Sequence, residues 1–190
     1  MEIELKNPDI RKLKDMEEVL MNKEIVKSNP DQELYYMYRG IEEKDGLRYD
    51  ITVMPPFKLG EEYVKTLGHF HGLTSNEMYI VLEGEALWIF QKGKDVVEDF
   101  YAVRAKKGEG VLVPKEYAHV TINATNETLK IANWVNQVSG FDYETVKNKN
   151  GLCYFYTTKG WVKNNNYKNI PEVRFVEPLK EIPTNLDFLK

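Results

Sequence analysis

Hydrophobic and polar positions change period along the chain, and the change separates a short leading segment from everything after it. Ile10, Leu13, Met16 or Glu17, and Leu20 recur at helical spacing behind Asn7-Pro8, an N-cap followed by a first-turn proline. They predict one short helix over 8–22. Ser28-Asn29-Pro30-Asp31 predicts a turn, and from there the pattern is that of strands. Leu34 to Arg39 is a tyrosine-rich strand, and Lys44-Asp45-Gly46 turns the chain into a second strand from Arg48 to Met54. Met78, Ile80 and Leu82 alternate with Glu77, Tyr79 and Val81, and Glu83-Gly84-Glu85 is the next turn. Ala86 to Gln91 and Val96 to Val103 flank Lys92-Gly93-Lys94-Asp95, a hairpin loop, and Val111 to Val113, Val120 to Asn123 and Leu129 to Val135 follow. Short strands with turns at this spacing predict an all-β sandwich or barrel. Leu152 to Thr157 and Trp161-Val162 predict a hairpin around Lys159-Gly160. Residues 171–190, with three prolines, predict a strap across the surface.

Length and composition narrow the class. The chain has 190 residues with no obvious internal break, so one domain spanning 1–190 is expected, its core barrel at about 33–136. A hydrophobic fraction of 42%, a charged fraction of 29% and a net charge of −4 are ordinary for a soluble globular protein. The basic residues are dispersed, which argues against nucleic acid as a partner but not against a small anion held at a local site. Cys153 stands alone, so no intramolecular disulfide can form, which fits a cytoplasmic setting. The opening residues are charged and no apolar run approaches the length of a membrane span, so neither a secretory signal nor a membrane anchor is expected.

The three histidines carry the chemistry. Gly68-His69-Phe70-His71 places two imidazoles on one face of a strand, about 7 Å apart, with Phe70 on the other. Two rings so placed can pinch one ion. Glu77 follows after Gly72 to Asn76 and opens an apolar strand, where an inward carboxylate is costly unless a metal or partner compensates it. Pro114 ends a strand, Lys115 to Ala118 turn, and His119 opens the next strand, so a hairpin can bring a third imidazole over the first two. Taken singly, a strand histidine is more often a hydrogen-bonded structural residue than a ligand.

Taken together, these residues resemble the cupin superfamily, whose first motif is His-x-His, a short gap, Glu, six residues and Gly. Here Glu77 is followed by six residues and Gly84. Gly108, Pro114, His119 and Asn123 fit the spacing of the second motif. Tyr63 and Glu116 stand where a general cupin has glycine. Within the superfamily, Thr66-Leu67-Gly68-His69-Phe70-His71 and Glu77-Met78-Tyr79 closely resemble the Thr-x-Gly-His-Phe-His and Glu-x-Tyr signatures of the cupin-type (archaeal-type) phosphoglucose isomerases. Arg11 to Met16, Tyr35 to Tyr38, Thr52 and Asp142-Tyr143 resemble further landmarks of that family, so the likeness spans roughly 10–145. Phe141 stands where the family usually has histidine.

The resemblance implies a cupin double-stranded β-helix, or jelly-roll, barrel holding one divalent metal ion per subunit on His69, His71, Glu77 and His119. Iron(II) comes first; manganese, nickel, cobalt and zinc accept the same donors. It implies interconversion of glucose 6-phosphate and fructose 6-phosphate, by a cis-enediol route or a metal-assisted hydride shift, in a cytoplasmic homodimer. Glu77 is the base of the first route. Tyr79, on the same strand face, either orients Glu77, donates a proton to O1 or O2, or is a packed core tyrosine. Thr52, Thr66 and the Gly68 amide, helped by Tyr35 and Tyr143, are the implied phosphate contacts. Two other functions suit three histidines and a glutamate: a metal-dependent oxygenase or decarboxylase, and a non-catalytic sugar-binding cupin.

Overall fold

The computed structural model describes residues 5–71, 77–136 and 140–190. Its first element is a strand, β1 (Asp9–Lys12), followed by two 3₁₀ helices at Leu13–Val19 and Lys23–Lys27. The expected helix over 8–22 is therefore corrected. Leu13, Met16 and Val19 are the buried residues of the first 3₁₀ helix, a spacing of three that matches three residues per turn, and Asp15 accepts the Lys12 amide at 2.9 Å to close its start. Upstream of it, Asp9 to Arg11 pair with Tyr35 to Met37, a sheet contact that local periodicity does not reveal.

The strands that follow are β2 (Glu33–Lys44), β3 (Leu47–Met54), β4 (Lys58–Leu59), β5 (Glu62–Tyr63), β6 (His69–His71), β7 (Glu77–Glu83), β8 (Glu85–Lys92), β9 (Asp99–Lys106), β10 (Gly110–Val113), β11 (Tyr117–Ile122), β12 (Leu129–Asn136) and β13 (Phe141–Asp142). A short helix, α1 (Tyr143–Asn148), precedes β14 (Tyr154–Thr157), β15 (Gly160–Lys163) and β16 (Arg174–Phe175). The β2–β3 connection shows local chemistry choosing a turn: Asp45 and Gly46 both have positive φ (52° and 81°), the type I′ geometry that an Asp-Gly pair favours between twisted strands.

Two six-stranded sheets result, ordered β1-β2-β3-β12-β7-β10 and β13-β6-β11-β8-β9-β16. Counting only β3 and β6 to β12, the first strand pairs with the last, the last with the third and the third with the sixth. The second, seventh, fourth and fifth form the facing sheet. That alternation is the double Greek key of a jelly roll, the architecture of cupins. The expected all-β class holds, and so does the hairpin near residue 159, which is the β14–β15 pair.

The core lies between the sheets, with Trp88 and Phe90 from β8 and Val81, Leu129 and Ile131 from β7 and β12, while Phe100 packs on the other face of β9 against Tyr154 and Trp161. A second, smaller cluster sits outside the first sheet. There Met78, Ile80 and Trp134 are covered by Ile182, Leu186 and Leu189, so the tail is the strap expected from its prolines. Strand β7 is thus packed on both faces, which holds its inward residues rigidly. No helix among the described residues is long and apolar enough to cross a membrane.

Candidate metal centre and substrate cavity

Antiparallel pairing brings the histidines together. His69 and His119 are direct partners across β6 and β11, and β13 places Phe141 opposite His71. His119 is the third residue of β11 rather than its first; Tyr117 opens that strand. Glu77 and Tyr79 come from β7 of the facing sheet, so the cluster bridges both halves of the fold. The connection Gly72 to Asn76, expected as a loop, lies outside the described residues.

The nitrogen and oxygen donors of His69, His71, Glu77 and His119 all lie within 4.8 Å of one another. His69 Nε2 is 3.2 Å from His71 Nε2, and Glu77 Oε2 is 3.1 Å from His71 Nε2 and 3.7 Å from His119 Nε2. Burial, reinforced by the neighbouring imidazoles, holds His69 and His119 well below the ordinary histidine pKa, so both rings are neutral with a lone pair to offer at neutral pH. Nδ1 of His71 and of His119 is buried without a protein partner, so the Nε2 edges are the ones engaged. Three imidazole nitrogens and a carboxylate oxygen gathered at one point fit a divalent transition metal, and the site can hold one.

Beside this cluster a cavity, open to solvent at its mouth, extends between the sheets. Every expected contact residue lines it: Tyr35, Thr52, Thr66, Gly68, Tyr79 and Tyr143. Their local roles differ. Tyr35 is buried, and its hydroxyl accepts the Leu67 amide at 3.2 Å, tethering the segment that precedes Gly68. Thr66 Oγ1 accepts the Thr121 amide at 2.9 Å, which leaves its own proton free to donate. Tyr143 lies against His69, ring centroids 4.9 Å apart. Its neighbour Asp142 caps α1, accepting from the Thr145 amide at 3.0 Å and from Lys94 at 2.6 Å. Tyr79 is 3.2 Å from His119 Nε2, and burial together with Glu77 raises its hydroxyl pKa well above the usual value.

A family model described as "Glucose-6-phosphate isomerase (GPI)" matches residues 10–172. The chain belongs to the glucose-6-phosphate isomerase family. A glucose-6-phosphate isomerase of Pyrococcus furiosus is 32% identical over 154 residues, covering 77% of this chain and 79% of that protein. One from Pyrococcus horikoshii is 30% identical over 169 residues, covering 84% and 88%. Among solved structures, an oxalate oxidase aligns with a TM-score of 0.46 at 15% identity, over 58% of this chain and 55% of its own. A cupin-2 domain protein from Shewanella frigidimarina aligns at 0.38 and 18%, over 52% and 78%.

Several cavity residues escaped the sequence reading. Arg11, Arg39, Arg48 and Asp50 line the wall built by β1 to β3, and Asn133 joins them from β12. Asp50 is buried and receives Arg48 through contacts of 2.7–3.1 Å and the Gly40 amide at 2.8 Å. Asn133 is also buried, and its Nδ2 donates to Glu77 Oε1 at 2.6 Å. An Asp at position 50 and an Asn at position 133, each between apolar neighbours in a strand, were the available signal, since polar groups there need partners.

Proposed function

We propose that this member of the family interconverts glucose 6-phosphate and fructose 6-phosphate in the cavity between the sheets. The observation that carries this reading is the convergence of His69, His71, Glu77 and His119 on one point beside Tyr79, at the head of a cavity walled by hydroxyl and guanidinium groups. When bound there, a divalent ion supplies a Lewis acid for the sugar carbonyl. The remaining work belongs to side chains. The reaction moves a proton from C2 to C1, or the reverse, and another between the two oxygens, with no external reductant. We assign the carbon-bound proton to Glu77, the carboxylate at the reacting end of the cavity. Tyr79 stays protonated at neutral pH, because burial and Glu77 both oppose its ionisation, and it is assigned to donate to O1 or O2. The phosphate is assigned to Thr52, Thr66, the Gly68 amide, Tyr35 and Tyr143. Arg11, whose buried Nε has no partner, joins them.

We take the working form to be a cytoplasmic homodimer of single-domain subunits, each with one ion. Iron(II) is placed first, and manganese, nickel, cobalt or zinc are competent alternatives. The outer edge of β1, where the first sheet ends and Ile10 is exposed, supports a surface for pairing.

The test is a coupled assay with fructose 6-phosphate under anaerobic conditions. Glucose 6-phosphate should form, stop forming with a chelator and resume with added iron(II) or manganese. Binding without turnover in the metal-loaded protein would instead indicate a sugar-binding cupin. Turnover that requires oxygen would indicate an oxygenase.

A further inference from the structure

Glu77 is asked to be a metal ligand and a base, and the structure treats its two oxygens differently. Oε2 faces His71 and His119, while Oε1 takes the Asn133 amide at 2.6 Å. We propose that Asn133 is a positioning residue: it holds Oε1 so that Glu77 presents a single oxygen to the imidazole cluster. This rests on the metal-centre reading above.

Three observations support the assignment. Asn133 sits in β12 directly opposite Tyr79 of β7, so its position follows from the ladder that carries Glu77 rather than from a mobile loop. A carboxylate only accepts, so the end of the amide that faces Oε1 must be its NH₂ group, and the donor direction is settled by chemistry. Arg48, a cation in the same cavity wall, is paired with Asp50. A neutral donor thus holds Oε1, fixing its direction without neutralising the charge. Partners that hold a ligating side chain from behind commonly alter metal affinity by 10- to 100-fold when removed.

The test uses Asn133→Leu, which keeps the volume and removes the donor, and Asn133→Ala, which removes both. Wild type and variants are stripped with a chelator and titrated with Co²⁺, whose visible bands report coordination number. Affinity is read by competition and folding by thermal melting. The expected result is an affinity loss of about tenfold or more in both variants, with altered Co²⁺ bands. In turnover, kcat should fall more than KM rises. Asn133→Leu binding Co²⁺ as wild type does, with unchanged bands, would overturn the proposal, as would a loss seen in Asn133→Ala alone, which is the signature of packing. If wild type takes up no Co²⁺, the metal-centre reading fails and takes this proposal with it. Uptake by wild type with no effect in the folded Leu variant removes the positioning role alone.

Discussion

His69 and His119 face each other across one antiparallel rung, their rings edge to face with centroids 4.7 Å apart. Residues fifty positions apart in the chain therefore share a geometry set by the β6–β11 register. His119→Ala should abolish metal retention and lower isomerase activity by at least about 100-fold, because two imidazoles and a carboxylate bind far more weakly than the full set. Metal content per chain and the coupled assay check this together. Full activity in metal-free His119→Ala would remove the mechanism.

The same two rings make the stripped protein acid-sensitive. Their folded pKa values are held well below 6.5 by burial first and by neighbouring imidazoles second. The unfolded chain then binds protons near pH 6.5 that the folded chain refuses, so the unfolded state gains stability as pH falls through that value. The melting temperature of the metal-free protein should therefore decline from pH 7 to pH 5, before most carboxylates titrate. Metal retention should weaken in the same direction, since protons compete for the nitrogens. A melting temperature that stays flat over that window would contradict the assignment of both rings as buried and neutral.

Gly68 is required by its surroundings. Its φ is +81°, and a Cβ there would lie 2.5 Å from Val120 Cγ2 and 3.1 Å from the His119 carbonyl. Gly68→Ala should cost about 1–3 kcal/mol of stability through backbone strain and overlap. It should also reduce activity by pushing on the strand that carries His119. Adding Val120→Ala should recover part of the stability, because it removes the overlap and leaves the strain. No recovery in the double variant would mean that the contact with Val120 is not what limits the site. Denaturant midpoints for the three proteins decide this.

The ease of reading the site varied with how local its determinants are. Period-two spacing put His69 and His71 on one face, and the apolar strand after Glu77 announced a carboxylate in need of a partner. The turn after Pro114 allowed His119 to come over the first two rings, and the motif resemblance made it a ligand. What Asn133 holds was out of reach, because its contact with Glu77 depends on β12 landing beside β7, a pairing that no local pattern encodes. The first segment misled for the opposite reason. Leu13, Met16 and Leu20 suit a helix taken alone, yet β1 joins the sheet edge and the remainder tightens into 3₁₀ turns. Helix α1 did carry a signal in Asp142, an N-cap followed by Glu144 in the first turn, which the Asp-Tyr landmark overshadowed.

Glu116 marks a place where this chain carries a stored cost. It stands at the second motif's usual glycine, and its φ of +66° shows that the turn keeps the left-handed conformation glycine would adopt freely. The side chain is exposed, in the turn between β10 and β11, and takes part in neither the metal cluster nor the cavity beside it. Glu116→Gly relieves a left-handed penalty of about 1–2 kcal/mol, while glycine's greater freedom in the unfolded chain takes back up to about 1 kcal/mol. The net expectation is a gain of about 0.5–1 kcal/mol with unchanged kcat and metal content. Urea unfolding of the two proteins measures it. A loss of stability on this substitution would show that the Glu116 side chain holds the turn by contacts that outweigh its backbone strain.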